Sequence, residues 1–237
     1  MRLHVAQPVV DLFPAITLGV LTGTISAPRG DVRGTVAALR DKASASLLAG
    51  APTVEALAEH PHVSRWREAY RAFGTKPNKH RPTHEALARR LLKDGVWPEI
   101  NPIVDVYLTN QIEHLLPHGG YDRAALAGDL ALYVSPGNEG FEPLGGGSEL
   151  TEAGEIVYRD ERRVLTRRWN YKDCDATKIE AATSAFLLFI EAPGGIDPAR
   201  VEAACADLAG RYERAFDGDF RAAVFSVDAS CRDLPID

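Results

Sequence analysis

The sequence lacks several features that would place it in a specialised class of protein. Only three cysteines occur in 237 residues (Cys174, Cys205 and Cys231), and no two form a CxxC motif. This spacing argues against a disulfide framework and against a thiolate zinc site. No apolar run reaches the roughly 18 residues that a membrane-spanning helix needs. The first 14 residues hold an acid and two prolines where a secretion signal needs an apolar stretch. We therefore expect a cytoplasmic protein with no membrane partner.

The chain also lacks the positive charge of a general nucleic-acid-binding protein. Its formal net charge is −6, whereas such domains are usually basic. We therefore expect no DNA partner, and any contact with RNA must use a local cluster of cations. The mixture of 45 % hydrophobic and 25 % charged residues is typical of an ordinary soluble globular protein.

A metal site is not expected either. No HExxH motif occurs, although His80 and His84, like His114 and His118, have the i, i+4 spacing that could bind zinc on a helix. Proline interrupts both pairs, so neither is expected to form a continuous helical face. The sequence predicts no metal and no cofactor.

The hydrophobic pattern predicts an α+β fold. Strands are expected at 15–25, 130–134, 156–158, 164–169 and 220–227, with a central strand at 186–191. Helices are expected from Asp31 onward, over 63–73, from an N-cap at Thr83 to Gly95, and after Asp197 and Pro198. The segment 100–108 resembles a buried strand or extended segment. Helices and strands do not alternate as βαβ units, so we expect a mixed or mainly antiparallel sheet with helices packed on it.

One segment carries a local excess of positive charge. Between residues 76 and 93 six cations face a single acid, Glu85. Such a cluster can neutralise phosphates, but it also fits a solvated helix face. The cations that we assign to RNA binding are Lys76, Lys79, Arg81, Arg89 and Arg90.

The segment RRWNYKDCDATK, residues 167–178, gathers polar and aromatic groups just after a predicted strand. Ligand groups often lie in such loops. Asp173 could hold an amine, Asn170 could orient a carbonyl or a water molecule, and Trp169 or Tyr171 could stack on a ligand. The alternative is a polar loop with an aromatic plug. Cys174 has no nearby histidine to act as its base, so we do not expect a catalytic thiol.

Two further stretches combine polar groups with special backbone. Asn101 and Asp105 interrupt the apolar segment 100–108 and form a candidate pair, although they could simply satisfy backbone groups in a turn. In LLPHGGYD, residues 115–122, His118 precedes two glycines, Gly119 and Gly120. Glycines allow the backbone to approach a ligand, or another strand, closely.

Six stretches occur together in an order that is typical of one family. They are THEALARRLLKDGVWPEINPIVDVY, LLPHGGYD, GNEGFEPLG, GEIVYRD, RRWNYKD and TSAFLLFIEA. This arrangement resembles the B3/4 domain, the editing module of the phenylalanyl-tRNA synthetase beta subunit, which also occurs as free-standing bacterial proteins. The resemblance covers residues 65–192 and is closer to the free-standing form. It implies one domain over 1–237, with segment 1–64 and a C-terminal helix at 197–214 packed on that core.

The resemblance implies hydrolysis of the ester in wrongly charged tRNA, here in trans. Such editing is needed where a first pocket cannot reject a similar side chain. The implied partner is the aminoacylated 3′ end of tRNA, with an aminoacyl-tRNA synthetase as a second candidate partner. Asp173, Asn170 and His118 are the candidate catalytic residues. The candidate substrate-binding residues are Asn101, Asp105, Gly119, Gly120, Tyr121, Trp169, Tyr171 and Lys172.

The sequence departs from the family pattern at three positions. The synthetase motif has a histidine at the position of Gly119, one residue after His118, while Leu108 and Gln111 stand where asparagine and serine are common. Two alternatives therefore stay open. One is a module that binds tRNA or a synthetase without turnover, and the other is an enzyme or sensor for a small amino-acid-like ligand.

Overall fold

A computed structural model describes residues 1–236, in which two large β-sheets pack with helices. The strands are β1 Arg2–Val5, β2 Ile16–Pro28, β3 His118–Asp122, β4 Leu130–Val134, β5 Gly140–Phe141, β6 Glu149–Leu150, β7 Ile156–Arg159, β8 Val164–Arg167, β9 Lys172–Asp173, β10 Ala185–Ala192, β11 Phe216–Val227 and β12 Asp233–Pro235. The helices are α1 Gln7–Leu12, α2 Val32–Gly50, α3 Val54–Glu59, α4 Pro61–Ala72, α5 Thr83–Asp94, α6 Pro102–His114 and α7 Pro198–Ala215.

The two sheets confirm the predicted α+β class. The larger sheet has the strand order β12-β1-β4-β7-β8-β9, and the second has the order β11-β2-β10-β3. Strand β1 runs parallel to β4, whereas the other strand pairs of both sheets are antiparallel. The sheets are therefore mixed and mainly antiparallel, as the absence of βαβ alternation predicted.

Strand β10 lies inside its sheet, as its continuous apolar run predicted. It pairs with β2 on one side and with β3 on the other. Residues on both of its faces are buried, because α7 covers one face and the larger sheet faces the other. One polar residue, Glu191, interrupts this strand.

The glycine pair lies in a strand and not in a turn. Gly119 and Gly120 both belong to β3, opposite Phe189 and Leu188 of β10. A Cβ atom on Gly120 would overlap the Leu188 side chain and lie 2.9 Å from the Leu187 carbonyl oxygen, whereas a Cβ on Gly119 would meet nothing within 4 Å. Gly120 therefore permits close packing, and Gly119 leaves open space beside the strand.

The prediction of a strand over 100–108 is wrong, because this segment begins α6. Asn101 caps the helix by accepting hydrogen bonds from the amides of Ile103 and Val104, and Pro102 occupies the first turn. Helix α6 packs against α2, α5 and α7. It is therefore buried around most of its circumference, and it does not show the apolar stripe of a surface helix.

The ends of the other helices are mostly where the sequence placed them. Gly95 ends α5 in the left-handed conformation with a φ of 66°, and Asp197 caps α7 through the amide of Ala199. The prediction that Thr83 caps α5 is wrong. Pro82 is the N-cap, and the amide of Thr83 donates to the Asn170 carbonyl at 3.2 Å. This bond ties the start of α5 to the loop that follows β8.

The buried apolar residues form two clusters. The main cluster joins both sheets with α1, α2, α4, α6 and α7. The second, which we call the helical cluster, joins the five helices α2, α3, α4, α5 and α6. It consists of Ala43, Leu47, Ala51, Leu57, Val63, Ala88, Leu91, Ile112 and Leu115. Among residues 1–236, no helix is both long and apolar enough to cross a membrane. The single-domain assignment stays a prediction.

Candidate functional site

A recess lies between the two sheets, at the start of α5. Its cavity volume is about 30 Å³, and it combines aromatic rings with two carboxylates. It is lined by Thr83, His118, Gly119, Tyr121, Tyr158, Thr166, Trp169, Asn170, Tyr171, Asp173, Phe189 and Glu191. Aromatic walls with a few polar groups are typical of small-molecule sites.

Asp173 faces this recess without a cation beside it. Its carboxylate accepts a hydrogen bond of 2.6 Å from the Thr166 hydroxyl, and among residues 1–236 it has no ion pair with a lysine, arginine or histidine. Burial raises the pKa of Asp173 to about 6. Such a carboxylate gains most from a ligand that brings its own positive charge.

Glu191 is the second acid of the recess, and sequence reasoning did not identify it. Its carboxylate accepts hydrogen bonds from the Tyr158 hydroxyl at 2.6 Å, from Trp169 Nε1 at 2.9 Å and from Asn170 Nδ2 at 2.9 Å. Burial raises its pKa to about 7. A single acid in the middle of the apolar β10 run was the available signal, because such a group must find buried partners.

Asn170 is held in one orientation from both sides. Its Oδ1 accepts from the Tyr70 hydroxyl at 2.8 Å, while its Nδ2 donates to Glu191. The side-chain amide carries a second N–H, for which no acceptor is found among residues 1–236. Because the Asn170 side chain lines the recess, this N–H can donate to a carbonyl oxygen of a ligand.

The turn that carries Trp169 is strained. Arg168 and Trp169 both have positive φ, at 47° and 68°, a conformation that costs a non-glycine residue roughly 1 kcal/mol or more. Arg168 is anchored by Glu152 at 2.7 Å, and the indole of Trp169 is anchored by Glu191. These contacts compensate for the strain and direct Trp169 and Asn170 into the recess.

His118 lines the recess with both ring nitrogens beside protein oxygens. Nδ1 lies 2.8 Å from the Leu116 carbonyl oxygen and Nε2 lies 2.6 Å from Asn110 Oδ1, and a neutral imidazole can donate to only one of these two acceptors. Burial lowers the pKa of His118 to about 3. The ring is therefore neutral near pH 7 and contributes a wall of the recess.

The sequence also matches a known family. Residues 65–225 match the family described as the B3/4 domain, which is about two thirds of the chain. The chain belongs to the B3/4 domain family. The resemblance drawn from the sequence is thereby confirmed, and the match extends beyond residue 192 to include α7 and most of β11.

Among solved structures, this B3/4 protein is similar to an N-terminal fragment of the phenylalanyl-tRNA synthetase beta-subunit from Pyrococcus horikoshii. The identity is 12 % and the TM-score is 0.47. The similarity covers 92 % of this chain and 50 % of the fragment, so the chain spans half the length of that protein. A search of curated proteins finds no match.

Several candidate residues of the B3/4 protein lie away from the recess. Asn101 caps α6, and Asp105 forms an ion pair of 3.1 Å with Arg40 in a separate surface recess. Lys172 pairs with Glu149 at 2.6 Å. Gly120 packs against β10. The recess thus brings together His118, Gly119, Tyr121, Trp169, Asn170, Tyr171 and Asp173 from the predicted set.

The predicted RNA-binding cations divide into two groups. Arg81 and Arg89, together with Arg67, surround the buried carboxylate of Glu85 at 3.7 Å each. Lys76 and Lys79 instead line a surface recess with Arg71, which the sequence analysis did not include. No ion pair with an acid is found for these three cations among residues 1–236. Arg90 lies on α5 and is exposed.

The remaining polar groups do not indicate a metal or a thiol site. Among residues 1–236, no group of three or more histidine, cysteine, aspartate or glutamate side chains is arranged to hold a metal ion. The Cys174 thiol contacts the Thr177 hydroxyl at 3.1 Å, and burial raises its pKa. A raised pKa keeps the thiol protonated and weakly nucleophilic.

Proposed function

We propose that this B3/4 protein is a deacylase that hydrolyses the ester between an amino acid and the 3′ end of a tRNA, in trans. The observation that carries the proposal is Asp173, a half-buried carboxylate without a cation that faces an aromatic-lined recess. The α-ammonium group of an aminoacyl ester supplies the missing charge. This reading is supported by the membership of the B3/4 family and by the cations beside the recess.

The geometry assigns a role to each lining group. Asp173 anchors the ammonium group, and the second N–H of Asn170 donates to the ester carbonyl. Because the Asn170 donor is already oriented by Tyr70 and Glu191, it can stabilise the oxyanion that forms when water attacks the carbonyl. In this proposal the recess widens on binding, so that Tyr121, Tyr158 and Phe189 surround the amino-acid side chain, and the open space beside Gly119 receives the ester.

Proton transfer does not require a histidine in this scheme. Both ring nitrogens of His118 face protein oxygens and not the recess, and an aminoacyl ester is already activated toward water. The terminal ribose hydroxyl of the substrate can assist the transfer of a proton. In this proposal His118 shapes the recess, and its replacement affects the fit of the substrate more than the chemical step.

The RNA is proposed to lie along the cations that start at α4 and continue to α5. Lys76, Lys79 and Arg71 have no acidic partner, so they are the groups that can neutralise phosphates. His80 packs against Tyr171 with ring centroids 4.9 Å apart, which connects this basic segment to the edge of the recess. Arg81 and Arg89 contribute less, because Glu85 partly neutralises them.

The test is deacylation of correctly charged and mischarged aminoacyl-tRNAs by the purified protein, with a chelator present. Rapid and selective loss of the amino acid from one pair is the expected result. Asn170→Ala should lower kcat, whereas His118→Ala should mainly raise KM. Unchanged half-lives of every ester, with a folded protein, would refute the deacylase.

A binding protein for a small amino-acid-like ligand is the second candidate. It is favoured by the recess itself, where two acids and aromatic rings fit a free ammonium group and no imidazole is available as a base. Calorimetric titration with free amino acids separates the two proposals. Tight binding of a free amino acid, without hydrolysis of any aminoacyl-tRNA, would replace the deacylase with this function.

A further inference from the structure

One edge of the smaller sheet differs from the other sheet edges. Strand β11 is 12 residues long and pairs on one side with β2. The other edges of the two large sheets are formed by β12, β9 and β3, with three, two and five residues. Proteins usually protect sheet edges with short strands, prolines, bulges or charged side chains. Strand β11 is long and contains neither proline nor lysine, although it has a bulge between Asp217 and Gly218 and charged residues at Asp219 and Arg221.

The outer side of β11 is accessible. Asp219, Arg221, Ala222 and Ala223 are all exposed, and among residues 1–236 the main neighbours of the strand are β2 and α7. The amide of Asp219 points toward Thr24 of β2. Because successive amides of a strand point in opposite directions, those of Phe220 and Ala222 point away from β2, toward the free edge.

We propose that β11 pairs with β11 of a second copy of this chain, in an antiparallel arrangement centred on Phe220. Such a dimer continues the four-stranded sheet of one copy into that of the other. A two-fold axis through Phe220 makes the contact self-complementary, as a closed dimer requires. The proposal does not depend on the function of the recess.

The charges of Asp219 and Arg221 favour this register over the adjacent registers. With the axis at Phe220, Asp219 of one copy faces Arg221 of the other, and the symmetry creates two such pairs. Moving the axis to Arg221 or to Asp219 would place two like charges directly opposite each other, which is unfavourable. An axis at Ala222 would lose both charge pairs. The register at Phe220 is therefore the one that the strand sequence favours.

The backbone limits how far the pairing extends. A bulge between Asp217 and Gly218 interrupts the register of β11. The symmetric pairing therefore has residues 218–222 as its regular part, with Gly218 facing Ala222. Within one copy, Asp219 and Arg221 are 2.7 Å apart and exposed. They need only rotate to meet the partner, and the intrachain pair that they give up contributes little.

The test is the mass of the full chain in solution, by analytical ultracentrifugation over a wide concentration range. We expect a species of twice the 25.7 kDa chain mass. Arg221→Asp and Asp219→Arg should each raise the dimer Kd at least tenfold, because each places like charges together twice. The double variant Asp219→Arg with Arg221→Asp should restore the dimer, since it exchanges the two signs.

A backbone variant completes the test. Ala222→Pro removes an outward amide and should also weaken the dimer. Ala45→Asp, at an exposed position of α2, provides the control and should leave the mass unchanged. A monomer at all concentrations, or a dimer that the two charge reversals do not weaken, would overturn the proposal.

Discussion

Glu191 and Glu85 are both buried glutamates whose pKa burial raises, but their surroundings differ. Glu191 accepts three hydrogen bonds from uncharged donors. Glu85 has three arginines at 3.7 Å, while both of its oxygens lack a hydrogen bond within the described part of the chain. Hydrogen bonds from neutral donors stabilise the Glu191 carboxylate, whereas nearby positive charge stabilises the Glu85 carboxylate.

This difference separates two uses of a buried acid. Oriented neutral donors fix the position of Glu191 and, through it, of Asn170 and Trp169, without supplying a positive charge. The arginines around Glu85 supply charge without close contacts, so they tie α4 to α5. The first arrangement suits a ligand site, and the second suits the support of an adjacent surface.

Removing the carboxylate of Glu85 should have the largest effect. Glu85→Ala leaves three guanidinium groups close together without their counter-ion, so we expect a loss of about 3 kcal/mol in the free energy of unfolding. Urea denaturation measures it. Glu68→Ala, which breaks an exposed pair with Arg65, is the matched control and should cost less than about 0.5 kcal/mol. Similar costs for the two variants would show that the Glu85 arginines are not held by charge.

The pH dependence of Glu191→Gln should be the next largest effect. The folded pKa of Glu191 is about 7 and its ordinary value is 4.5. Between these values the folded state retains a proton that the unfolded chain has released. The stability of the natural protein relative to the variant should therefore fall as pH rises from 4.5 to 7, by at most about 3 kcal/mol.

Urea denaturation at several pH values measures this slope. The contribution of Asp173 has the same sign and is present in both proteins, so it largely cancels in the difference. A flat difference for Glu191→Gln would mean that the folded pKa of Glu191 is not raised.

Asp173→Asn should lower kcat/KM for deacylation about 10²-fold, because it removes a charge-assisted bond to the ammonium group. The pKa of Asp173 is about 6, so the activity of the natural protein should also decrease as pH falls below 6. Asp175→Asn is the control, since the Asp175 side chain is half-exposed and pairs with Lys178. Equal activity of the two variants would remove Asp173 from the site.

The smallest effect is expected on tRNA binding, from the cations that have no acidic partner. Replacing Lys76 or Arg71 by Gln should weaken tRNA binding several-fold and reduce the slope of log affinity against log salt by about one. Fluorescence anisotropy at several salt concentrations measures both quantities. Arg89→Gln should change the slope less, because Glu85 already balances that charge. The opposite ranking would place the RNA beside the Glu85 arginines.

The sequence predicted the helices and strands whose buried residues form either one apolar stripe or one apolar run of the right length. Helix α7 and strand β10 are examples, since α7 has one apolar stripe and β10 is an apolar run of strand length. Helix α6 was missed because neighbours surround it, so its apolar residues do not form a stripe. Its cap, Asn101 followed by Pro102, was a helix signal that the apolar context obscured.

The site was predicted where two short stretches of sequence supply it, and the first of them, β3, contributes His118, Gly119 and Tyr121. The loop after β8 contributes Trp169, Asn170, Tyr171 and Asp173, which share one stretch of sequence. Glu191 and Tyr158 come from other strands, and their meeting depends on the packing of the two sheets. Likewise, sequence could count the cations of α5 but could not show that Glu85 is buried among Arg67, Arg81 and Arg89.

Different walls of the recess rest on different apolar clusters. Asp173 and Glu191 stand on strands of the main cluster, whereas Thr83 belongs to α5, which packs through the helical cluster. Elements of a protein can open locally without unfolding the rest. A ligand that bridges Asp173 and Thr83 would therefore act as a clamp between them, and the amides of α5 should exchange with solvent more slowly when it is bound.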